Sequence, residues 1–206
     1  MAPLWEGFDE WAYFAVIDHM RSSGERIVDR DLFVSNAIHE SLALAPLPRG
    51  MTRIPPSGVD HEGYWLLSES DRSSRQDQMN RLSGSAAEST RSDLMPAYEA
   101  SQAPLYYWVL STMLRPFGHA SLLTRVWLAR IFTLLVGSLI VPVSYLLFRE
   151  FWQDPLIAAK ATALLAALPA LLLDLFRVSN EGLNCLFFTC LMLLFVKIFR
   201  QPAARK

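Results

Sequence analysis

Lysine and cysteine are scarce in this chain of 206 residues, and neither occurs among the first 114. Those 114 residues hold nine Arg against sixteen Asp and Glu, whereas the remainder holds ten basic residues against four acidic ones. An acidic front half argues against nucleic acid as a partner, because phosphate binding needs clustered Lys and Arg. The two cysteines, Cys185 and Cys190, lie five residues apart on different faces of a predicted helix, so they cannot pair with each other.

Long apolar runs are absent from the front half but fill the last third of the chain, at 131–148, 156–173 and 182–199. Each run has about 18 residues, and a helix of that length measures about 27 Å, close to the hydrocarbon thickness of a bilayer. The sequence therefore predicts an all-α polytopic membrane protein. We expect residues 125–206 to form a three-helix transmembrane region, preceded by an extracytoplasmic loop region over residues 1–124 with short interfacial helices.

The distribution of basic residues predicts the orientation of these spans. Four basic residues follow or end the third run, whereas the turn between the second and third runs holds only Arg177. By the positive-inside rule the C-terminus is cytoplasmic and the front half is extracytoplasmic. The first residues carry neither a basic segment nor an apolar one, so they do not resemble a signal peptide. We therefore expect the chain to be a fragment whose preceding span delivers the front half across the membrane.

Short elements are predicted within the front half. Phe8 to Met20 reads as an amphipathic helix with Asp9 as its cap, and 32–44 as a brief helical patch. Residues 68–92 have the composition of a mobile loop or of a polar helix exposed to water. Pro104 opens a short helix over Leu105 to Leu114 that is too short to span.

Acidic groups stand out at two places, Asp9 with Glu10 near the start and Glu99 before the second short helix. A carboxylate can take a proton from a hydroxyl or bind a hard cation, so the first pair is a candidate general base or metal site. Acidic residues are also what a helix N-terminus prefers, so helix capping is the competing interpretation.

Four motifs in one order resemble the N-terminal part of polytopic glycosyltransferases of the C type. They are the acidic pair in Pro3 to Glu10 (PLWEGFDE), the segment Tyr98 to Tyr107 (YEASQAPLYY), Arg130 before a span that contains Gly137, and Ser179 to Leu183 (SNEGL). The arrangement is similar to the protein mannosyltransferase and lipid A aminoarabinose transferase families and their bacterial relatives. The run QAPLYY is the most specific piece.

The resemblance implies a membrane enzyme of the bacterial inner membrane that takes a sugar from a polyprenyl-phosphate donor. The sugar passes, with inversion, to a hydroxyl of a lipid, protein or glycan acceptor on the outer face. Asp9 matches the catalytic aspartate of the family, and Glu10 would orient the acceptor or help to hold a divalent cation. The residues expected to contact substrate are Glu99, Gln102, Tyr106, Arg130, Arg177, Asn180 and Glu181.

Several alternatives stay open at this point. Relatives often carry histidines where this chain has Tyr13 and Ser101, which leaves the identity of any metal ligand unknown. Arg125, Arg130 and Arg177 could bind the donor phosphate or anchor helix ends among lipid headgroups. The aromatic run 106–108 could form a membrane-interface belt or a sugar-stacking platform. The competing function is a non-catalytic membrane protein whose outer domain binds a partner.

Overall fold

The computed structural model describes Leu4, Trp5 and residues 9–26, 32–47, 58–82 and 95–200. The chain divides into two compact units, Met1–Ala129 and Arg130–Lys206, each of which is described by itself. The predicted all-α class is confirmed, because helices dominate and the described strands are two short parallel ones. These strands are β1 (Pro46–Leu47) and β2 (Val59–Asp60).

The centre of the first unit is α1, Glu10–Ser23, of which ten of fourteen residues are buried. The predicted helix is present, but a helix that is covered on nearly every side is a core element, so its predicted amphipathic character is wrong. The second half of the unit supplies α5, Leu105–Leu114, which packs along α1 with Tyr106, Tyr107 and Leu110 buried. A turn of 3₁₀-helix, Tyr98–Ser101, also packs against α1.

The first unit also contains three smaller helices among the described residues. They are α2 (Asn36–Leu44), α3 (His61–Leu66) and α4 (Glu69–Arg81). Each helix is preceded by a capping residue whose side chain accepts a hydrogen bond from a backbone N–H of the first turn. The capping residues are Ser35, Asp60 and Ser68 respectively. The segment predicted as a mobile loop or a polar helix is thus a polar helix over 69–81, whereas residues 83–92 lie outside the described part of the chain.

The second unit begins within a long apolar helix that crosses the division between the units. Its parts are α6 (Leu122–Ser138) and α7 (Ile140–Phe151), which together are long and apolar enough to cross a membrane. The helix is interrupted at Leu139, three residues before Pro142, because a proline lacks an N–H for the ladder and its ring clashes with the preceding turn. This candidate span starts nine residues earlier than predicted.

The predicted second span is broken in the structure. It consists of α8 (Pro155–Ala166) and α9 (Pro169–Phe176), which meet at an angle of 60°. Pro169 is the first residue of α9, and Leu168 before it is extended, as residues before proline tend to be. By length and composition the pair is one broken span or a re-entrant loop. The described residues therefore contain two or three candidate membrane spans.

The last candidate span is α10, Glu181–Arg200, and it agrees closely with the predicted 182–199. It packs against α7 around a small buried core of Ile140, Leu175 and Leu186. A Cβ on Gly182 would lie 3.7 Å from the Cα of Gly137, so small residues allow a close helix approach there. Large apolar side chains elsewhere on α10 are exposed, as is expected of surfaces that face lipid.

Candidate active site

Asp9 occupies the N-cap position of α1, but its side chain does not cap the helix. Its backbone is left-handed, with φ at 61°, and its carbonyl oxygen accepts from the N–H groups of Ala12 at 2.8 Å and Tyr13 at 3.1 Å. The Asp9 carboxylate instead accepts a hydrogen bond from the hydroxyl of Tyr98. The capping interpretation is therefore wrong for the Asp9 side chain, which lies partly exposed and is directed to another part of the chain.

Tyr98 holds the Asp9 carboxylate from the 3₁₀ turn, 89 residues further along the chain. Its ring packs nearly perpendicular to the buried ring of Trp11, with 5.6 Å between ring centroids. Burial, the hydrogen bond to Asp9 and the negative charges of Asp9 and Glu99 all raise the pKa of Tyr98 above its ordinary value. The phenol therefore stays protonated at physiological pH and continues to donate to Asp9.

Glu10, the second member of the acidic pair, is completely buried. It follows Asp9 directly, yet the two side chains lie in different environments, one partly exposed and one enclosed. A carboxylate without solvent exposure does not meet a substrate in this conformation. The structure thus separates the environments of the pair, and Asp9 is its more accessible carboxylate.

Behind the Asp9–Tyr98 pair lies a buried polar cluster that joins the 3₁₀ turn to α1 and α5. The carboxylate of Glu99 accepts a hydrogen bond from the side-chain amide of Gln102, which also donates to the hydroxyl of Tyr13 at 3.4 Å. The Tyr107 hydroxyl donates to the backbone carbonyl of Glu99 at 3.1 Å. Burial and then the charge of Glu99 raise the pKa of the Tyr107 phenol. These contacts fix the turn that carries Tyr98.

The three aromatic residues at 106–108, near the start of α5, differ in their exposure because they lie on different faces of the helix. Tyr106 and Tyr107 are buried, with their rings packed edge to face at 5.8 Å between centroids, whereas Trp108 is exposed. Both predictions for this run, an interface belt and a stacking platform, are therefore wrong for the two tyrosines. Their role in the described structure is to pack α5 into the unit.

A second ionic cluster in this unit was not found by reasoning from the sequence. The buried guanidinium of Arg125 pairs through a short contact with the carboxylate of Asp18, which also accepts from Arg21 at 2.9 Å. Arg125 is fully enclosed and lies over the ring of Phe14, 6.0 Å from its centroid. Arg125 therefore fixes α1 to the start of α6, instead of anchoring a helix end among headgroups as one alternative proposed.

The remaining predicted site residues belong to the second unit. Arg130 and Asn180 are buried, and Glu181 is in the first turn of α10. The guanidinium of Arg177 donates to the carboxylate of Asp174 at 2.6 Å. Arg177, Asn180 and Glu181 are neighbours in the turn between α9 and α10, as their order in the chain requires.

Within the described residues, no group of three or more His, Cys, Asp or Glu side chains is arranged to hold a metal ion. The carboxylates of Asp9 and Glu99 each accept a side-chain hydrogen bond, from Tyr98 and Gln102 respectively. Both bonds place a hydrogen donor on a carboxylate oxygen.

Comparison with known families matches the second half of the chain to one of them. Residues 107–206 match the dolichyl-phosphate-mannose-protein mannosyltransferase family. The resemblance drawn from the sequence motifs is confirmed for this region. No curated protein and no solved structure matches the chain.

The region that matches the protein mannosyltransferase family begins inside α5 at Tyr107 and includes all the candidate membrane spans found among the described residues. It contains Arg130, Arg177, Asn180 and Glu181, whereas Asp9 and the 3₁₀ turn precede it. The similarity to the mannosyltransferase family therefore concerns residues 107–206, whereas the geometry around Asp9 is described outside that region.

Proposed function

We propose that the protein is a membrane-bound glycosyltransferase that moves a sugar from a polyprenyl-phosphate donor to an acceptor hydroxyl on the extracytoplasmic face. The family match supports the class of reaction, because the family is described by a sugar on a polyprenyl phosphate, dolichyl-phosphate mannose. The candidate spans support a lipid-linked donor, since its tail remains in the bilayer while its phosphate lies at the surface.

Asp9 is the proposed general base. The observation that carries this assignment is that its carboxylate is partly exposed, does not cap its own helix and is held in place by Tyr98. The Tyr98 phenol occupies one carboxylate oxygen as a donor, so the Asp9 side chain is oriented before an acceptor arrives. Preorganised catalytic groups of this kind lose little entropy on reaching the reactive geometry.

The proposed reaction is a direct displacement. Asp9 takes the proton of the acceptor hydroxyl, and the acceptor oxygen forms a bond to the anomeric carbon. The bond from that carbon to the phosphate oxygen breaks, and the polyprenyl phosphate leaves with the electron pair. Attack on the face opposite the leaving group inverts the anomeric centre, whereas a covalent glycosyl–enzyme intermediate would retain its configuration.

The test of this function is the anomeric configuration of the product. Membranes that contain the protein are incubated with a polyprenyl-phosphate sugar of known configuration and candidate acceptors, and the product is analysed by NMR spectroscopy. We expect a new glycoside with inverted configuration. A product with the donor's configuration would exclude direct displacement, and the absence of any transfer would favour the partner-binding function instead.

A further inference from the structure

A groove between α2 and α4 forms a cavity in the first unit, and we call it the α2–α4 groove. The two helices pack against each other, and each contributes side chains at i, i+3 and i+4, which share one face of a helix. The cavity has a volume of about 450 Å³, within the range of small-molecule sites. Its lining includes Glu40, Ala43 and Leu44 of α2 and Gln78, Arg81 and Leu82 of α4 and its C-cap.

The lining of the α2–α4 groove combines opposite charges with apolar surface. Glu40 and Arg81 are both exposed, and neither forms an ion pair with another described residue, although they border the same cavity. Leu44 and Leu82 add apolar surface, and the Gln78 amide can donate and accept. This lining is complementary to a ligand that carries a cation and an anion beside an apolar body.

Two hydrogen bonds fix the position of the groove. The guanidinium of Arg75 donates from Nη1 to the carbonyl of Ala43 at 2.9 Å, which ties the middle of α4 to the end of α2. The backbone N–H of Leu122 donates to the carbonyl of Leu82 at 3.2 Å. Because Leu122 is the first residue of α6, the end of the groove that contains Arg81 and Leu82 lies at the start of the first candidate span.

The length of this span places its first residues among lipid headgroups. The span Leu122–Phe151 holds 30 residues, and a helix of that length measures about 45 Å. The hydrocarbon core of a bilayer takes only about 30 Å, whereas the bilayer with its headgroup regions measures about 40–45 Å. The start of α6, and the groove end bonded to it, therefore lie at the level of the headgroups.

We propose that the α2–α4 groove binds the headgroup of a phospholipid that carries a primary ammonium and a phosphate, as phosphatidylethanolamine does. The Glu40 carboxylate accepts from the ammonium N–H groups, and the planar Arg81 guanidinium donates to two phosphate oxygens. Leu44 and Leu82 contact the glycerol part of the lipid. An anionic lipid without an ammonium would leave Glu40 without a partner beside a phosphate, so charge complementarity selects the zwitterionic headgroup.

The experiment measures lipid binding by native mass spectrometry of the purified full chain in detergent, titrated with phosphatidylethanolamine or phosphatidylglycerol. We expect phosphatidylethanolamine to bind about tenfold more tightly, because phosphatidylglycerol has the phosphate but offers no ammonium to Glu40. Glu40→Gln should remove this preference by weakening binding of phosphatidylethanolamine, whereas Arg81→Gln should weaken binding of both lipids. Both side chains are exposed, so the fold tolerates either change.

Glu69→Gln is the matched control, because Glu69 is an exposed carboxylate in the first turn of α4, about 18 Å along the helix from Arg81. It should bind both lipids as the unaltered protein does. Soluble glycerophosphoethanolamine tests for a free headgroup and should bind far more weakly than the lipid. Equal binding of the two lipids, a preference that survives Glu40→Gln, or binding of glycerophosphoethanolamine as tightly as phosphatidylethanolamine would each overturn the proposal.

Discussion

At the scale of single residues, the most important feature is the hydrogen bond from the Tyr98 hydroxyl to the Asp9 carboxylate. A carboxylate at a helix start would ordinarily bond to the N–H groups of the first turn. In this chain the Asp9 carbonyl takes those N–H groups, which leaves the carboxylate for the phenol. The burial and charge that raise the pKa of Tyr98 also ensure that the phenol keeps its proton. Tyr98 is thus a positioning residue for the proposed base.

The first prediction at this scale concerns Tyr98→Phe. Removing the hydroxyl leaves the ring packed on Trp11 but frees the Asp9 carboxylate, so we expect kcat for sugar transfer to fall about tenfold with little change in KM. Because the raised pKa keeps Tyr98 protonated, the deficit should be the same at about pH 6 and about pH 9. Steady-state kinetics at both pH values measure it.

Tyr64→Phe is the control for this variant, since it removes a phenol hydroxyl elsewhere in the same unit. If the Tyr98→Phe variant were as active as the Tyr64→Phe control, a positioning role for Tyr98 would be contradicted. A deficit confined to alkaline pH would show that the phenol titrates in the working range.

At this scale the acidic pair could be recognised in the sequence, but the environment of each carboxylate could not be predicted from it. Two adjacent acidic residues before an apolar helix suit both a cap and a base, and the choice depends on a partner 89 residues away. Nothing in the local pattern distinguishes Glu10, which is buried, from Asp9, which is not. Gln102 and Tyr106 were expected to contact substrate. In the structure, Gln102 donates hydrogen bonds to Glu99 and Tyr13, and the ring of Tyr106 packs against the ring of Tyr107.

At the scale of elements, the position of α1 depends on the ionic cluster of Asp18, Arg21 and Arg125. Asp18 is midway along α1, and Arg125 is in the first turn of α6. Two guanidinium groups share the Asp18 carboxylate, so loss of the carboxylate removes an ionic contact from both and the ion pair of the fully enclosed Arg125, whereas loss of Arg125 leaves Asp18 with Arg21. Removing one partner of a buried pair costs about 3–5 kcal/mol because the other charge stays buried and uncompensated.

The second prediction follows from that asymmetry. Asp18→Asn should lower the thermal unfolding midpoint by roughly 10 °C, and Arg125→Met should lower it by less. The purified protein in detergent, melted while tryptophan fluorescence is recorded, gives both midpoints. If Arg125→Met were as damaging as Asp18→Asn or more so, the two guanidinium groups would not share the carboxylate in the way described.

Elements with local signals were predictable. Pro104 fixed the start of α5, whose observed bounds are the predicted ones, and Asp154 caps α8 with a bond from Leu156 N at 2.8 Å. The break between α8 and α9 was missed although Pro169 was visible, because a proline within an apolar run suits either a kink or a new helix start. The Asp18–Arg125 pair has no local signal, since its members are 107 residues apart.

At the scale of the whole molecule, the proposed orientation puts the first unit outside the bacterial inner membrane and the C-terminus in the cytoplasm. This arrangement requires the α8–α9 pair to cross the membrane. Its two arms hold 12 and 8 residues, which corresponds to about 30 Å of helix measured along the bent path. The proposed orientation takes the pair as one broken span and not as a re-entrant loop.

The third prediction tests that orientation with single cysteines in a variant whose Cys185 and Cys190 are replaced by serine. A cysteine at Asp77, which is exposed on α4, and one at Arg177 should both react with a membrane-impermeant maleimide added outside the cells. A cysteine at Gln153 should react only after the membrane is opened. Labelling of Arg177→Cys from the cytoplasmic side would make the α8–α9 pair a re-entrant loop.

The central claim is that the Asp9 carboxylate removes the proton of the acceptor during transfer from a polyprenyl-phosphate sugar. Its most direct test compares Asp9→Asn with Asp77→Asn, which removes an exposed carboxylate on α4, in membranes that contain equal amounts of each protein. We expect Asp9→Asn to lower kcat by about 10²–10⁴, as is usual when a general base is lost, and Asp77→Asn to leave it unchanged. Transfer by Asp9→Asn at the rate of the Asp77→Asn control would contradict the assignment.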